Sequence, residues 1–213
     1  MIATEALLTT KLYVPQAHPN LVPRVRLSEK LEEGMGRKLT LISAPADFGK
    51  TAFSSEWRMM HSGDEYPVSW ISLDEDYNDP ARFLSYFVAA LQTIKSDIGE
   101  PALVSLRSPQ PPPVESVLTA LINEVAAGPN EFALVLDDYH VIEAEPIHDA
   151  IAFCAAPSAD PDRIREEAGS TLRGLWLAAS GDGSQGHASS WLYLPRSNAR
   201  HKRERAARVR VSS

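Results

Sequence analysis

An α/β fold, a parallel sheet layered between helices, is predicted by three features of this 213-residue chain. Short apolar runs alternate with amphipathic stretches from about Arg37 onward. The run Phe132 to Leu136 is continuously apolar, as expected of a strand covered on both faces. The order strand, helix, strand, helices, strand implies parallel neighbours joined by right-handed crossovers.

Taken in order, "KLTLIS" is the first strand, ending at Ser43, and "KTAFSSEWRMM" follows with Phe53, Trp57 and Met60 at helical spacing. "VSWISLD" is the second strand, ending on Asp74. A helix then opens with Asp79 as N-cap and Pro80 in the first turn, where a missing N–H costs nothing. Its apolar face is Phe83, Leu84, Phe87, Val88, Leu91 and Ile94. "SPQPPP" is a stiff connector. Val114 to Val125 form another amphipathic helix, stopped by Gly128 and Pro129. "FALVLDD" closes the series. Ligands of such sheets sit at the carboxyl ends of the strands, where Ser43, Asp74 and Asp137 fall. Trp57 and Trp70 follow apolar patterns and belong to the core. His140 and His148 have no Cys or second His close enough for a metal site and are assigned structural roles.

Beyond Ala155 the regularity fails, so the sheet is expected to be incomplete. "GLWLAAS" is one further candidate strand, with Ser180 at its end; "GDGSQGHASS" is flexible, and "RSNARHKRERAARVR" is a basic end. Up to Cys154 there are 11 Lys+Arg against 22 Asp+Glu, and beyond it 10 against 6, so the two parts differ in kind. The expected organisation is a lead-in segment over 1–36, an α/β domain over 37–154 and a divergent, partly disordered basic tail over 155–213. No apolar run approaches the roughly 20 residues of a membrane span. The N-terminus lacks the features of a secretory signal, which makes the cytoplasm the default. Cys154, the only cysteine, excludes an internal disulfide and a cysteine-based zinc cluster, and its apolar context assigns it to the core.

Between the first strand and its helix lies "ISAPADFGKTAF". The phosphate-loop pattern asks for Gly, four residues, Gly-Lys, then Ser or Thr. Ala44 stands at the first position, and Gly49, Lys50 and Thr51 complete it. Backbone N–H groups of Ala46, Asp47, Phe48 and Gly49, continuing to Ala52, would wrap the phosphates of ATP. Lys50 would reach the β- and γ-phosphates, and the Thr51 hydroxyl would bind Mg²⁺. Ala44 adds only a methyl. Asp47 is the larger departure: turned inward, its carboxylate weakens triphosphate binding; turned outward, it leaves the loop intact. A plain strand-to-helix turn is the competing explanation of "GKT". The second half of the site answers it, because "FALVLDDYH" supplies Asp137 for the metal and Asp138 to orient or deprotonate an attacking water.

At this point a resemblance becomes specific. "LLTTKLYVPQAHPNLVPRVRLSEKLEEGMGRKLTLISAPADFGKTAFSSEW", "VSWISLDEDYNDPARFLSYFVAALQ" and "FALVLDDYHVIEAEPIHDAIAF" resemble the N-terminal domain of MalT-like, LuxR-type transcriptional regulators, STAND-class signalling ATPases. The resemblance covers about residues 6 to 154. It implies a three-layer P-loop NTPase-like sheet with flanking helices, and an ATP-dependent switch in which ATP with inducer favours a self-associating form and ADP favours rest. It places Val22, Pro23 and Arg24 of "NLVPR" over the adenine; a solvated Arg24 leading into the next helix is the plain alternative. Hydrolysis would be slow at most, since a switch needs a loaded state that lasts.

The family pattern continues with a γ-phosphate-sensing strand ending in "ATR", a winged helix, helical repeats and a DNA-binding helix-turn-helix. None of these is legible here, and DNA binding is expected only from such a unit. A shifted reading frame would account for the foreign character of the tail. A degenerate, non-catalytic interaction module that no longer binds nucleotide is the alternative function.

Overall fold

In a computed structural model of the protein, the structure describes residues 8–16, 24–35, 39–45, 48–60, 67–127, 132–155, 187–193 and 207–210. "GLWLAAS" with Ser180, and the helix stop at Gly128 and Pro129, lie outside the described residues. Six α-helices are described: α1 (Val25–Met35), α2 (Lys50–Met60), α3 (Pro80–Gln92), α4 (Glu100–Leu106), α5 (Val114–Ala126) and α6 (Glu145–Ala155). Five strands form one sheet: β1 (Leu39–Pro45), β2 (Val68–Ser72), β3 (Ala133–Asp137), β4 (His187–Tyr193) and β5 (Ala207–Arg210), in the order β2-β3-β4-β1-β5.

Period-two alternation builds the three layers. On one face Leu39 and Leu41 of β1, Ile71 of β2, and Leu134 and Leu136 of β3 pack against α3, α4, α5 and α6. On the other, Ile42, Ala44, Trp70, Ala133 and Val135 meet Leu31 of α1 and Phe53 and Trp57 of α2. Trp57 and Trp70 are buried, as their patterns predict. So is Cys154, whose thiol burial pushes up to about 12.

The helix and strand bounds follow the chemistry expected of them. Asp79 caps α3, its Oδ1 accepting from the Arg82 N–H at 2.7 Å, with Pro80 in the first turn. β2 stops at Ser72, two residues before the predicted end. Asp74 serves instead as the cap of a 3-10 turn, Glu75–Asn78, accepting from the Asp76 N–H. α4, which the apolar pattern does not predict, begins after Gly99. That residue is held at φ 73, and its N–H donates to Glu124 Oε2 at 2.7 Å.

β2 and β3 are parallel, with Ser72 opposite Asp137. The predicted parallel sheet departs from expectation at β4, which runs antiparallel to both of its neighbours, β1 and β3. β1 and β3 are thereby held apart by one strand, and their carboxyl ends face the same way. The reversal brings the amino end of β4 to the loop end of the sheet, with His187 in register with Pro45. The 3-10 turn Thr9–Leu12 lies against β2. It is anchored by the Leu8 N–H donating to the Tyr86 hydroxyl at 2.9 Å.

Candidate functional site

Among the described residues, Lys50 and Thr51 lie where β1 turns into α2, and Asp137 and Asp138 where β3 ends. Gly49 sits at φ 69, a left-handed turn that glycine adopts without penalty. A Cβ there would stand 3.3 Å from Arg24 Nη2. Arg24 itself, placed just before α1, donates from Nη1 to the Phe48 carbonyl at 2.9 Å, so its guanidinium braces the loop backbone. Val22, Pro23, Ala46 and Asp47 lie outside the described residues.

Lys50 opens α2 and is 5% exposed. Its ammonium donates to the Ala44 carbonyl at 3.4 Å, reaching back across the loop to the position where the pattern asks for glycine. A buried ammonium at a helix start is a combination suited to an anion. The two halves of the motif meet next door: Thr51 Oγ1 donates to Asp137 Oδ2 at 2.9 Å, across 86 residues of chain. Asp137 is 3% exposed, fixed by the β3 backbone, whose Asp137 carbonyl accepts from the Leu73 N–H.

Asp138 follows in a left-handed conformation, φ 56, which Asp tolerates better than most residues. That turn points the chain out of the sheet, leaving the carboxylate partly exposed at the site with its Oδ1 3.9 Å from His140 Nδ1. Behind the turn, the buried Tyr139 hydroxyl and His148 Nδ1 are hydrogen-bonded at 2.7 Å. This is a structural role for His148, as its sequence context predicts. His140 also lines the cleft. Desolvation by partial burial lowers its pKa below the ordinary 6.5; Asp138 and Asp137 oppose this and Lys50 reinforces it.

These groups wall a cleft of about 1030 Å³, at the large end of small-molecule sites, which run to roughly 1,000 Å³. Gly49, Lys50, Thr51 and Ala52 form one wall, Asp138, His140 and Val141 a second, and Asp74, Glu75 and Asp76 a third. The acidic wall was not singled out from sequence beyond Asp74. It is held by Lys11, whose Nζ lies 2.7 Å from Asp74 Oδ2.

One residue that sequence did not flag ties two walls together. Asn78 donates from Nδ2 to the carbonyls of Glu75 (3.1 Å) and Val141 (2.9 Å), while its Oδ1 accepts from the N–H groups of Glu143 (2.7 Å) and Ala144 (2.9 Å). Only a composition cue, Asn in a polar turn before a capped helix, pointed toward it.

A divalent cation can be tested against the donors present. Thr51 and Asp137 offer a hydroxyl and a carboxylate oxygen in contact, the hard donors that magnesium prefers. No group of three or more His, Cys, Asp or Glu among the described residues is arranged to hold a metal ion. The donor set therefore fits a cation that shares its shell with phosphate oxygens and water.

No family model matches the chain. Individual proteins do. The chain is 36% identical over 147 residues to the HTH-type transcriptional regulator MalT of Cronobacter sakazakii, and 34% identical over 147 residues to MalT of Yersinia enterocolitica. Each of these matches covers 69% of this chain and 16% of the regulator. It is also 32% identical over 134 residues to the serine/threonine-protein kinase PknK of Mycobacterium tuberculosis, covering 63% of this chain and 12% of the kinase. The chain thus corresponds to a small fraction of the length of these relatives. No helix among the described residues is long and apolar enough to cross a membrane.

Proposed function

The chain carries a MalT-like domain, and from that premise we propose that it is the ATP- and Mg²⁺-binding switch unit of a LuxR-type, STAND-class transcriptional regulator, with slow ATP hydrolysis at most. One observation carries this reading: Thr51 and Asp137, 86 residues apart, touch beside a buried Lys50.

Residue roles follow from what each group can do. The loop amides and Lys50 bind and neutralise the phosphate chain. Arg24 keeps the loop in shape through the Phe48 carbonyl. Thr51 and Asp137 hold magnesium, which when bound screens the phosphate charge. Asp138, beside His140, orients a water and accepts its proton. ATP and ADP are the ligands, self-association is the output of the loaded form, and the setting is the cytoplasm. DNA contact belongs to a helix-turn-helix unit rather than to this domain.

Thermal unfolding of the full chain tests the proposal. Millimolar ATP with Mg²⁺ is expected to raise the melting temperature, because a ligand selective for the native state stabilises it by about 2.7 kcal/mol at one hundred times its Kd. Lys50→Ala is expected to abolish the rise. An unchanged wild-type melting temperature would favour a fold that has lost its nucleotide.

A further inference from the structure

The chain ahead of α1 reaches the cleft from the edge of the sheet. β2 is an outer strand, and the 3-10 turn Thr9–Leu12 lies against it. Leu12 packs on the core beneath α3 to α6, and Val14 on the opposite core with Leu31 and Trp57, so the segment passes round the β2 edge from one face to the other. It ends at the cleft, where Pro15 and Gln16 are lining residues. The segment therefore supplies part of the ligand's enclosure.

Its attachment is light. No residue of the 3-10 turn is buried, Leu8 and Tyr13 are exposed, and Leu12 and Val14 are only partly buried. Among the described residues, polar anchoring comes from the Leu8 N–H on the Tyr86 hydroxyl and from the Lys11 ammonium, 2.7 Å from Asp74 Oδ2. Few buried apolar contacts are the mark of a segment that opens locally at small cost. Asp74 is itself a cleft residue, and its two oxygens are divided: Oδ1 accepts from the Asp76 N–H within the acidic turn, and Oδ2 takes Lys11. One carboxylate thus fastens the segment to the cleft wall.

We propose that residues 8–16 are a strap that retains the bound nucleotide, with the Lys11–Asp74 pair as its latch, so that Lys11 is a positioning residue acting on the ligand through Pro15 and Gln16. The proposal rests on the nucleotide reading of the cleft. A ligand against Pro15 and Gln16 favours the fastened form, and it leaves when the strap opens. The strap sets how long the loaded state lasts and takes no part in the chemistry. Direct attraction between Lys11 and the phosphates is the rival account, and the two differ in what Asp74 does. If Lys11 acts through the latch, losing either partner has the same effect; if it acts on the phosphates, removing the Asp74 charge tightens binding while removing Lys11 weakens it.

The test uses the full chain with Mg²⁺ and a fluorescent N-methylanthraniloyl ADP, chased by excess ADP to read the release rate. Lys11→Met and Asp74→Asn are each expected to speed release about 4-fold, toward the upper end for a partly exposed ion pair; Asn keeps a capping oxygen for the turn. The double variant is expected to match either single one, because a latch broken once cannot be broken again. Hydrogen exchange over residues 8–16 of the wild type should slow when ADP is bound. Release within twofold of wild type in either single variant overturns the proposal, and so does slower release from Asp74→Asn, which would place Lys11 on the phosphates. Additive effects in the double variant overturn it as well, as does exchange over 8–16 that ADP leaves unchanged. A fall of several degrees in the ligand-free melting temperature of Lys11→Met overturns it too, by making the pair a support of the whole fold. A wild type that gives no signal with the fluorescent ADP removes the nucleotide reading and the strap together; a wild type that binds, with unaltered variants, removes the strap alone.

Discussion

Half-buried against Lys50 and within 3.9 Å of the Asp138 carboxylate, the His140 ring is subject to opposing influences, and desolvation is the largest of them. Its folded-state pKa lies below the unfolded 6.5, so the unfolded chain holds the proton more tightly. Its contribution to stability is complete above pH 6.5 and declines as the pH falls from there toward the lower folded value. Urea unfolding at pH 7.5 and 5.5 is expected to show wild type losing more stability on acidification than His140→Gln. Equal losses would mean that the ring is not depressed. His140 shows what sequence hides at this scale. Its neighbours in the chain gave no metal-binding partner, and its position on the cleft wall depends on the left-handed turn at Asp138. The Lys50, Thr51 and Asp137 types were legible because each needs only its own strand end and the loop beside it.

Elements inherit their placement from a few directional bonds. Asn78 satisfies two carbonyls and two N–H groups at once, joining the acidic turn after β2 to the segment between Asp138 and α6. Replacing it with Ala removes all four bonds and leaves partly buried groups unpaired. Asn78→Ala is therefore expected to cost about 2 kcal/mol in urea unfolding, at a net worth near 0.5–1.5 kcal/mol per bond with partial replacement by water. A loss under about 0.5 kcal/mol would show that the two walls hold without it. α2, α3, α5 and the first three strands were readable from periodicity, capping by Asp79 and the proline connector. α4 escaped because seven residues with a single buried side chain make no recognisable apolar stripe. The early stop of β2 likewise follows from Asp74 finding an N–H to cap, a choice that an apolar run cannot announce.

For the molecule as a whole, the two halves of the site sit on strands that share no hydrogen bonds with each other. The loop before α2 hangs from β1 and Asp137 from β3, with β4 between them. Neither the presence nor the direction of β4 was readable: "HASSWLY" opens on four residues with little preference for a strand, and its register is set only by the gap it fills. Two spacings of about 4.8 Å separate the flanking strands. The spacing between the two strands that carry Thr51's loop and Asp137 is thus set by the strand paired between them. Amide hydrogen exchange is expected to show the β4-facing amides of β1 and β3 opening at one common rate, as a single cooperative unit. Distinct rates for the two strands would mean that each is held without β4. The span between the two arms of this clasp is governed by its hinge pin, so a change that loosens residues 187–193 would dull ligand capture at a site none of them was predicted to serve.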